Sequence, residues 1–390
     1  MSEADHVLII GAGPAGKTAA VALSRVGIRA ELYERVRDFQ PLGVAFGLQT
    51  SAMRGLLKLG IGDRLAERAL IADWHDLYSL GDKELGRLPV GELGRETGMP
   101  AMAVLRRDYE ELLLGMIDPD TLHLGHECVG VEQDPDGVTA HFASGASARG
   151  TMLIGADGLH SAVRRYLVGE TEVRYSGYVA WRGCTEVEQH PIPSNIIRWW
   201  SGAGAQAGLF PLPGKKLAWG AVALAPQGVS DPPGGHAAAV LDAIPGLPRV
   251  VADAVRATDE SAIVRGDLVD REPITKWTTG RVALMGDAAH PTTPFMGQGL
   301  GLCIEDAVIL AKELALTDRL ADHSVIPLAL KSYERYRTDR AAQIVLMSRK
   351  WAENMLGGSA AKRAIAQRAM RMMPDSRWSK VVRESSGYDV

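Results

Sequence analysis

The chain has 390 residues, a formal net charge of −4, 46% hydrophobic and 23% charged residues, which is long enough for two domains sharing a large core and excludes a broadly basic nucleic-acid binder. The start is polar and the apolar run at residues 7–10 is too short for a signal h-region or a membrane span, so a cytoplasmic protein is expected. Cys128, Cys184 and Cys303 are widely separated with no CxxC pair, which excludes a thiolate metal site and fits reduced thiols.

The first predicted unit is VLIIGAGPAGKTAAVALSRVGIRAELYER, a strand, a glycine turn, a helix and a second strand. Gly11, Gly13 and Gly16 form a GxGxxG directly after the apolar strand. The first glycine permits the turn, the second lets backbone N–H groups approach a pyrophosphate, and the third lets helix pack on strand. Glu34 closes the second strand, where a carboxylate accepts both hydroxyls of an adenosine ribose and disfavours a 2′-phosphate. Together these features predict a dinucleotide site that does not suit NADP. The alternative is a glycine turn with no ligand.

Residues 41–49 read as a glycine-spaced loop containing Gly47, and residues 50–70 have helical periodicity. A helix is predicted over 106–114, followed by short strands at 122–125, 128–132 and 138–142. Asp136-Gly137 is a hairpin signal between the last two. The apolar strand 151–155 runs into Asp157-Gly158-Leu159-His160-Ser161-Ala162-Val163-Arg164. From 171 to 267, alternating runs between Gly/Pro turns predict an antiparallel sheet. GAGAQAG at 202–208 resembles a second nucleotide loop but lacks a preceding buried strand and a following helix. It reads as a turn between strands.

Residues 284–307 read LMGDAAHPTTPFMGQGLGLCIEDA. An apolar strand ends in Gly286-Asp287, and a Pro-bounded loop exits through Gly297, Gly299 and Gly301. A helix then starts with Glu305 and Asp306 in its first turns. Carboxylate, glycine loop and helix N-terminus suit a ligand bearing hydroxyls and an electron-rich ring edge. Beyond Asp306 the pattern is helical, over 328–351 and 360–373. The last helices place a Met stripe on the body and Arg toward solvent.

GAGPAG with Glu34, the 157–164 run, and Gly286-Asp287 with Gly297-Gln298-Gly299 occur in order. This set resembles the fingerprint of the class A FAD-dependent aromatic monooxygenases, in the salicylate, hydroxynicotinate and urate hydroxylase branch, over residues 7 to about 350. The resemblance implies an α/β fold: a Rossmann-like FAD-binding domain, an inserted antiparallel-sheet substrate domain and C-terminal helices. The expected divisions are 1–170 for FAD binding with a small substrate-domain insertion near 71–100, 171–270 for the sheet domain, 271–325 for the FAD-binding return, and 326–390 for the C-terminal helices.

The resemblance further implies tightly bound, non-covalent FAD. Gly11, Gly13, Ala15, Gly16, Glu34 and Arg35 would hold its ADP half, with Gly47, Arg106 and Cys128 along the site. Asp157 would serve both FAD and, transiently, NADH or NADPH, with Arg164 anchoring that motif; a structural ion pair at the helix start is the alternative for these two. Asp287 would accept from a ribityl hydroxyl. Pro294, Gly297, Gln298, Gly299, Leu300 and Gly301 would face the ring edge, where amides and the helix N-terminus favour negative charge. Relatives often carry Pro-Asn where this chain has Gln49-Thr50-Ser51, so the substrate does not carry over.

The implied reaction inserts one oxygen atom of O2 into a small aromatic or heteroaromatic substrate through a C4a-hydroperoxyflavin, at the expense of NAD(P)H. Water must be kept away, and Tyr178, Trp181, Trp199 and Phe210 are candidate walls, with plain sheet core as the alternative. His290 could relay a substrate proton or simply order its loop, and Arg182 and Gln206 could anchor the substrate. Nucleic acid and membrane are not expected as partners, and either a monomer or a homodimer suits the chain. Epoxidation, a redox-neutral cyclisation, or a flavin-retaining binding protein are the other readings.

Overall fold

The computed structural model describes residues 6–39, 45–316 and 324–390, so the first part of the predicted 41–49 loop lies outside the described residues. Six strands form one sheet in the order Thr278–Thr279, Val282–Leu284, Met152–Gly155, Val7–Ile10, Ala30–Glu34, Leu122–Leu124. All neighbours run parallel except the first pair. The central strands VLII and MLIG are buried at every position, as parallel strands covered on both faces must be. Helices Pro14–Arg25 and Gly299–Ala315 pack on each other beside this sheet. Parallel strands put all their carboxyl ends at one edge, and Gly11, Glu34, Asp157 and Asp287 all follow such ends. The strand order switches at Val7–Ile10, where a ligand crevice opens in folds of this kind.

A second sheet has seven strands, ordered Val264–Asp270, Arg174–Glu186, Lys216–Leu224, Ala205–Leu212, Ile196–Gly202, Trp74–Ser79, Glu84–Leu88. It is antiparallel except where Ile196–Gly202 runs parallel to Trp74–Ser79. Residues before the 171 boundary therefore complete the sheet. Two helices, Gly235–Ala243 and Arg249–Arg256, interrupt the predicted all-strand region. Their Val240, Val251 and Val255 cover one face of the sheet, packing with Val179, Trp181, Leu209 and Trp219. The sheet's other face is left for the cavity described below.

Three local differences from the sequence reading have clear causes. Residues 202–208 are mostly strand, because the turn needs only Ala203 and Gly204, at φ +50° and +81°. The predicted loop at 45–49 contains the strand Ala45–Leu48, which pairs antiparallel with Ala101–Leu105. The 50–70 helix splits into Thr50–Lys58 and Gly62–Ala66 at Gly60, whose φ of +73° suits glycine, and Leu70 already begins a strand. The chain ends in helices Ile326–Met355, Ala360–Arg371 and Asp375–Ser386. Among the described residues no helix is long and apolar enough to cross a membrane, and no His/Cys/Asp/Glu group could hold a metal ion.

Candidate active site

One cavity of about 1590 Å3 runs from the glycine turn to the second sheet. At its first end the three glycines have different tasks. A Cβ on Gly11 (φ +97°) would lie 2.4 Å from the Ala156 carbonyl oxygen, and one on Gly16 would lie 1.8 Å from that of Gly11. Gly13 has nothing within 4 Å of that point and borders the cavity. Gly11 and Gly16 thus secure close backbone packing, while Gly13 leaves room for a ligand. Glu34 is fixed by accepting from the Ala12 N–H (2.8 Å) and the Val36 N–H (3.0 Å), and its carboxylate borders the cavity beside Arg35. Arg106 also borders it and donates to Glu110, whose other oxygen takes the buried Lys17 ammonium at 2.6 Å. Lys17 and Glu110, which fix Arg106 from behind, carry no sequence signal beyond their charges.

Asp157 caps the helix Ala162–Val168. It accepts from the Ser161 hydroxyl and from the N–H groups of Ala162 (2.8 Å) and Val163 (3.3 Å). Burial raises its carboxyl, against the pull of these donors. Arg164 does not pair with it. The buried guanidinium instead donates at 2.9 Å to the carbonyls of both Ala288 and Ala289, and burial lowers it to about 10. The alternative ion pair does not form; Arg164 instead cross-links the 157–164 motif to the turn carrying Asp287. Cys128 lines the cavity nearby. Burial, with Asp157 adding to it, pushes its thiol up to about 11, so it is a neutral wall.

The turn at Asp287 is held from below. Asp306 accepts from the Gly286 N–H (3.0 Å), His290 Nε2 (2.6 Å) and Arg337 Nε (2.8 Å), all fully enclosed. Burial alone would raise the Asp306 carboxyl, but His290 and Arg337 hold it at about 2. His290 is buried and does not border the cavity; its bond to Asp306 orders the loop and leaves it away from any substrate. Asp287 is the opposite case. Its side chain is exposed to the open cavity, and the surrounding protein, which displaces bulk water, raises its carboxyl. No hydrogen bond or ion pair to it occurs among the described residues.

Pro294, Gly297, Gln298, Gly299 and Leu300 border the cavity. Gly297 takes φ +61° with open space around it, and Gly47 brings its strand alongside the Gly297 carbonyl. The first-turn N–H groups of Gly299–Ala315, which have no partner within a helix, begin here. Gly301 does not reach the cavity; its Cβ position lies 3.5 Å from Ala52. Gln298 donates to the Ser385 carbonyl, and Ser386 donates to Gln49, which also borders the cavity. The C-terminal helix is thereby fastened to the loop.

The sheet face opposite bears Arg182, Gln206, Trp199, Phe210, Ile197, Leu77 and His75, and all of them line the cavity. Register puts them on one side: Arg182 opposes Gly220, Trp199 opposes Gly208 and Leu77, and Ile197 opposes His75. Trp199 and Phe210 meet edge to face at 5.2 Å. Trp181 alternates to the other side, where its indole donates to Asp231 at 2.7 Å, and Tyr178 packs against Phe295 and is not among the lining residues. Of the four expected walls, Trp199 and Phe210 point into the chamber from this face, Trp181 borders the cavity while its indole lies on the other side, and Tyr178 does not border it. Gln206 bonds to Ser201 at 3.0 Å. Arg182 makes no hydrogen bond or ion pair with a described residue, and burial alone lowers its guanidinium. His75, which the sequence reading passed over, is kept neutral by burial, lowered to about 4.

The residues fit FAD. A partnerless carboxylate at Asp287 can accept a ribityl hydroxyl, Glu34 retains acceptor capacity for a ribose, and the space at Gly13 admits a pyrophosphate. The comparisons agree. The FAD binding domain family matches residues 5–348. The chain is 34% identical over 371 residues to an aurachin C monooxygenase/isomerase of Stigmatella aurantiaca, covering 95% of each. It is 32% identical over 350 residues to the FAD-dependent urate hydroxylase of Klebsiella pneumoniae, covering 88% of each. The solved structure of Klebsiella pneumoniae HpxO complexed with FAD and uric acid superposes with a TM-score of 0.90 at 28% identity, covering 98% of this chain and 96% of that one.

Proposed function

We propose a division of labour in this site from one premise: the chain belongs to the class A FAD-dependent aromatic monooxygenases. Its substrate is an aromatic or heteroaromatic ring bearing a hydroxyl or carboxylate, and NADH or NADPH and O2 are the co-substrates. The observation that carries this reading is Arg182, a half-buried cation on the chamber wall with no hydrogen bond or ion pair to a described residue. A cation partly withdrawn from water and left without a partner favours an anionic or strongly polar ring substituent, which would complete a charge-assisted hydrogen bond.

FAD, when bound, supplies the two-electron chemistry that activates O2. The chain's own residues do the rest. Gly11, Gly13, Ala15, Glu34 and Arg35 hold the adenosine and pyrophosphate end, with Gly16 acting through packing. Arg106, Cys128 and Asp157 line the middle, and Asp287 accepts from the ribityl chain. Pro294 and the segment from Gly297 to Leu300 bring amides and a helix N-terminus to the ring edge, where they favour negative charge. Arg182 and Gln206 orient the substrate, and Trp199 and Phe210 exclude water from it. His75, neutral and facing the chamber, accepts a hydrogen bond from a substrate hydroxyl; His290 acts only by positioning the Asp287 turn.

The test is substrate-stimulated coenzyme oxidation by the yellow protein, with a product heavier by one oxygen atom. Coenzyme oxidation that no hydroxylated arene accelerates would defeat the proposal. The relative named aurachin C monooxygenase/isomerase favours one second reading, in which oxygen insertion is followed by rearrangement of the substrate skeleton. Identification of a rearranged product separates the two.

A further inference from the structure

Beyond the ring chamber, the cavity continues along the C-terminal helices, and nothing in the chemistry of a small hydroxylated arene uses that space. Helix Ala360–Arg371 is the clearest sign. Ile365, Ala366 and Met370 recur at helical spacing along one side and border the cavity, followed by Met373, with Lys362, paired to Glu353 at 2.8 Å, at the start of the same side. Of the helix's twelve residues only Met370 is buried. An amphipathic helix of a globular protein ordinarily sets its apolar stripe on a core; here the stripe faces an open cavity. Helix Ile326–Met355 supplies the facing wall through Met347, Trp351 and Met355. Met355 and Met370 pack with Leu77 and Val222 of the sheet face, and Trp199 and Trp351 lie against the same group. The arm is therefore continuous with the ring chamber at Trp199. At its far end Ile365 is 71% exposed although it borders the cavity, so the arm opens to solvent and sets no sharp limit on length. Flexible methionine side chains accept apolar groups of varied shape.

We infer that the substrate carries a linear apolar substituent, an alkyl or prenyl chain, which lies in the arm between helices Ile326–Met355 and Ala360–Arg371 while the ring sits against Arg182 and Trp199. The inference rests on the reading of the chamber as an arene site. It adds that the chain, not the ring alone, supplies much of the affinity and sets which arenes are selected.

The experiment titrates the FAD-loaded protein anaerobically and reads the perturbation of flavin absorbance, with no turnover. Two matched pairs are used: resorcinol against 4-hexylresorcinol, and salicylate against 6-pentylsalicylate. Full burial of a methylene corresponds to about four-fold in Kd. Allowing for the open end, the chain is expected to tighten binding by at least about 100-fold for one of the two heads. Ala366→Trp narrows the arm and Ile365→Asp places a charge at its exposed mouth. Each should reduce the ratio of the paired Kd values by about ten-fold or more. A general loosening of the protein would shift both members of a pair and leave the ratio unchanged, which would overturn the inference. A chain gain below about three-fold for both heads would also overturn it. A protein that retains no FAD would instead bring down the underlying arene-site reading, a separate and visible outcome.

Discussion

Replacing Asp287 by Ala should weaken FAD binding without weakening the protein. The carboxylate opens on the cavity, is raised by burial and has no donor among the described residues. In the empty protein the side chain is exposed in the open cavity, where water can solvate it. A hydrogen bond from a neutral hydroxyl to a carboxylate contributes about 1.5–3 kcal/mol, which corresponds to a Kd for FAD raised by about 10- to 150-fold. An exposed, unpaired side chain contributes little to the fold, so the stability of the FAD-free protein should stay within about 0.5 kcal/mol. The assay pairs calorimetric titration of FAD-free protein with thermal melts of the same preparations. An unchanged Kd would show that the hydroxyl-bearing part of the cofactor lies elsewhere. A lower Tm would show that Asp287 stabilises the protein itself, and either result would refute the reasoning.

Asp306→Ala should do the reverse of Asp287→Ala. It leaves Arg337 with Glu305 and the Leu302 carbonyl and removes the acceptor for His290 and the Gly286 N–H, a loss of about 3–5 kcal/mol by the usual cost of breaking a buried pair. Chemical denaturation should show it even without FAD, and an unchanged midpoint would count against the network. Because His75 is lowered from 6.5 to about 4, the unfolded chain binds a proton between those values and the folded protein does not. Stability should therefore rise with pH across that window, by up to about 3 kcal/mol, and denaturation midpoints of His75→Gln should be flatter from pH 4 to 6.5. An identical pH slope in that variant would exclude His75 as the source. Arg182→Gln should weaken binding of carboxylate-bearing arenes by about 10- to 100-fold and leave FAD content unchanged. Equal losses for charged and uncharged arenes would show that Arg182 acts by packing alone.

The cofactor end was legible in the sequence because its rules are local. A glycine turn directly after a buried strand, or a carboxylate at or just beyond a strand end, is visible within a few residues. The support behind it was not. Asp306 and Arg337 are 31 residues apart, and Arg164 reaches carbonyls 124 and 125 positions away; only the fold brings them together. The chamber was legible in part. Alternation along a strand separates Trp181 from Arg182, but choosing which of them faces the cavity requires knowing that helices Gly235–Ala243 and Arg249–Arg256 cover the opposite face. His75 belongs to a strand that joins this sheet by a parallel pairing, across more than a hundred residues of chain, and nothing in its local sequence marks it. The Met stripe of the C-terminal helices reads as inward-facing, yet sequence cannot tell an apolar face set on a core from one left open to a cavity.

The most direct test of a single cavity joining cofactor and substrate is turnover under 18O2 with the FAD-loaded protein, coenzyme and a panel of hydroxylated arenes with and without apolar chains. The site described predicts that at least one arene accelerates coenzyme oxidation and leaves as a product carrying one 18O atom. Flavin-containing protein that consumes coenzyme equally with and without every arene, and labels none of them, would contradict it.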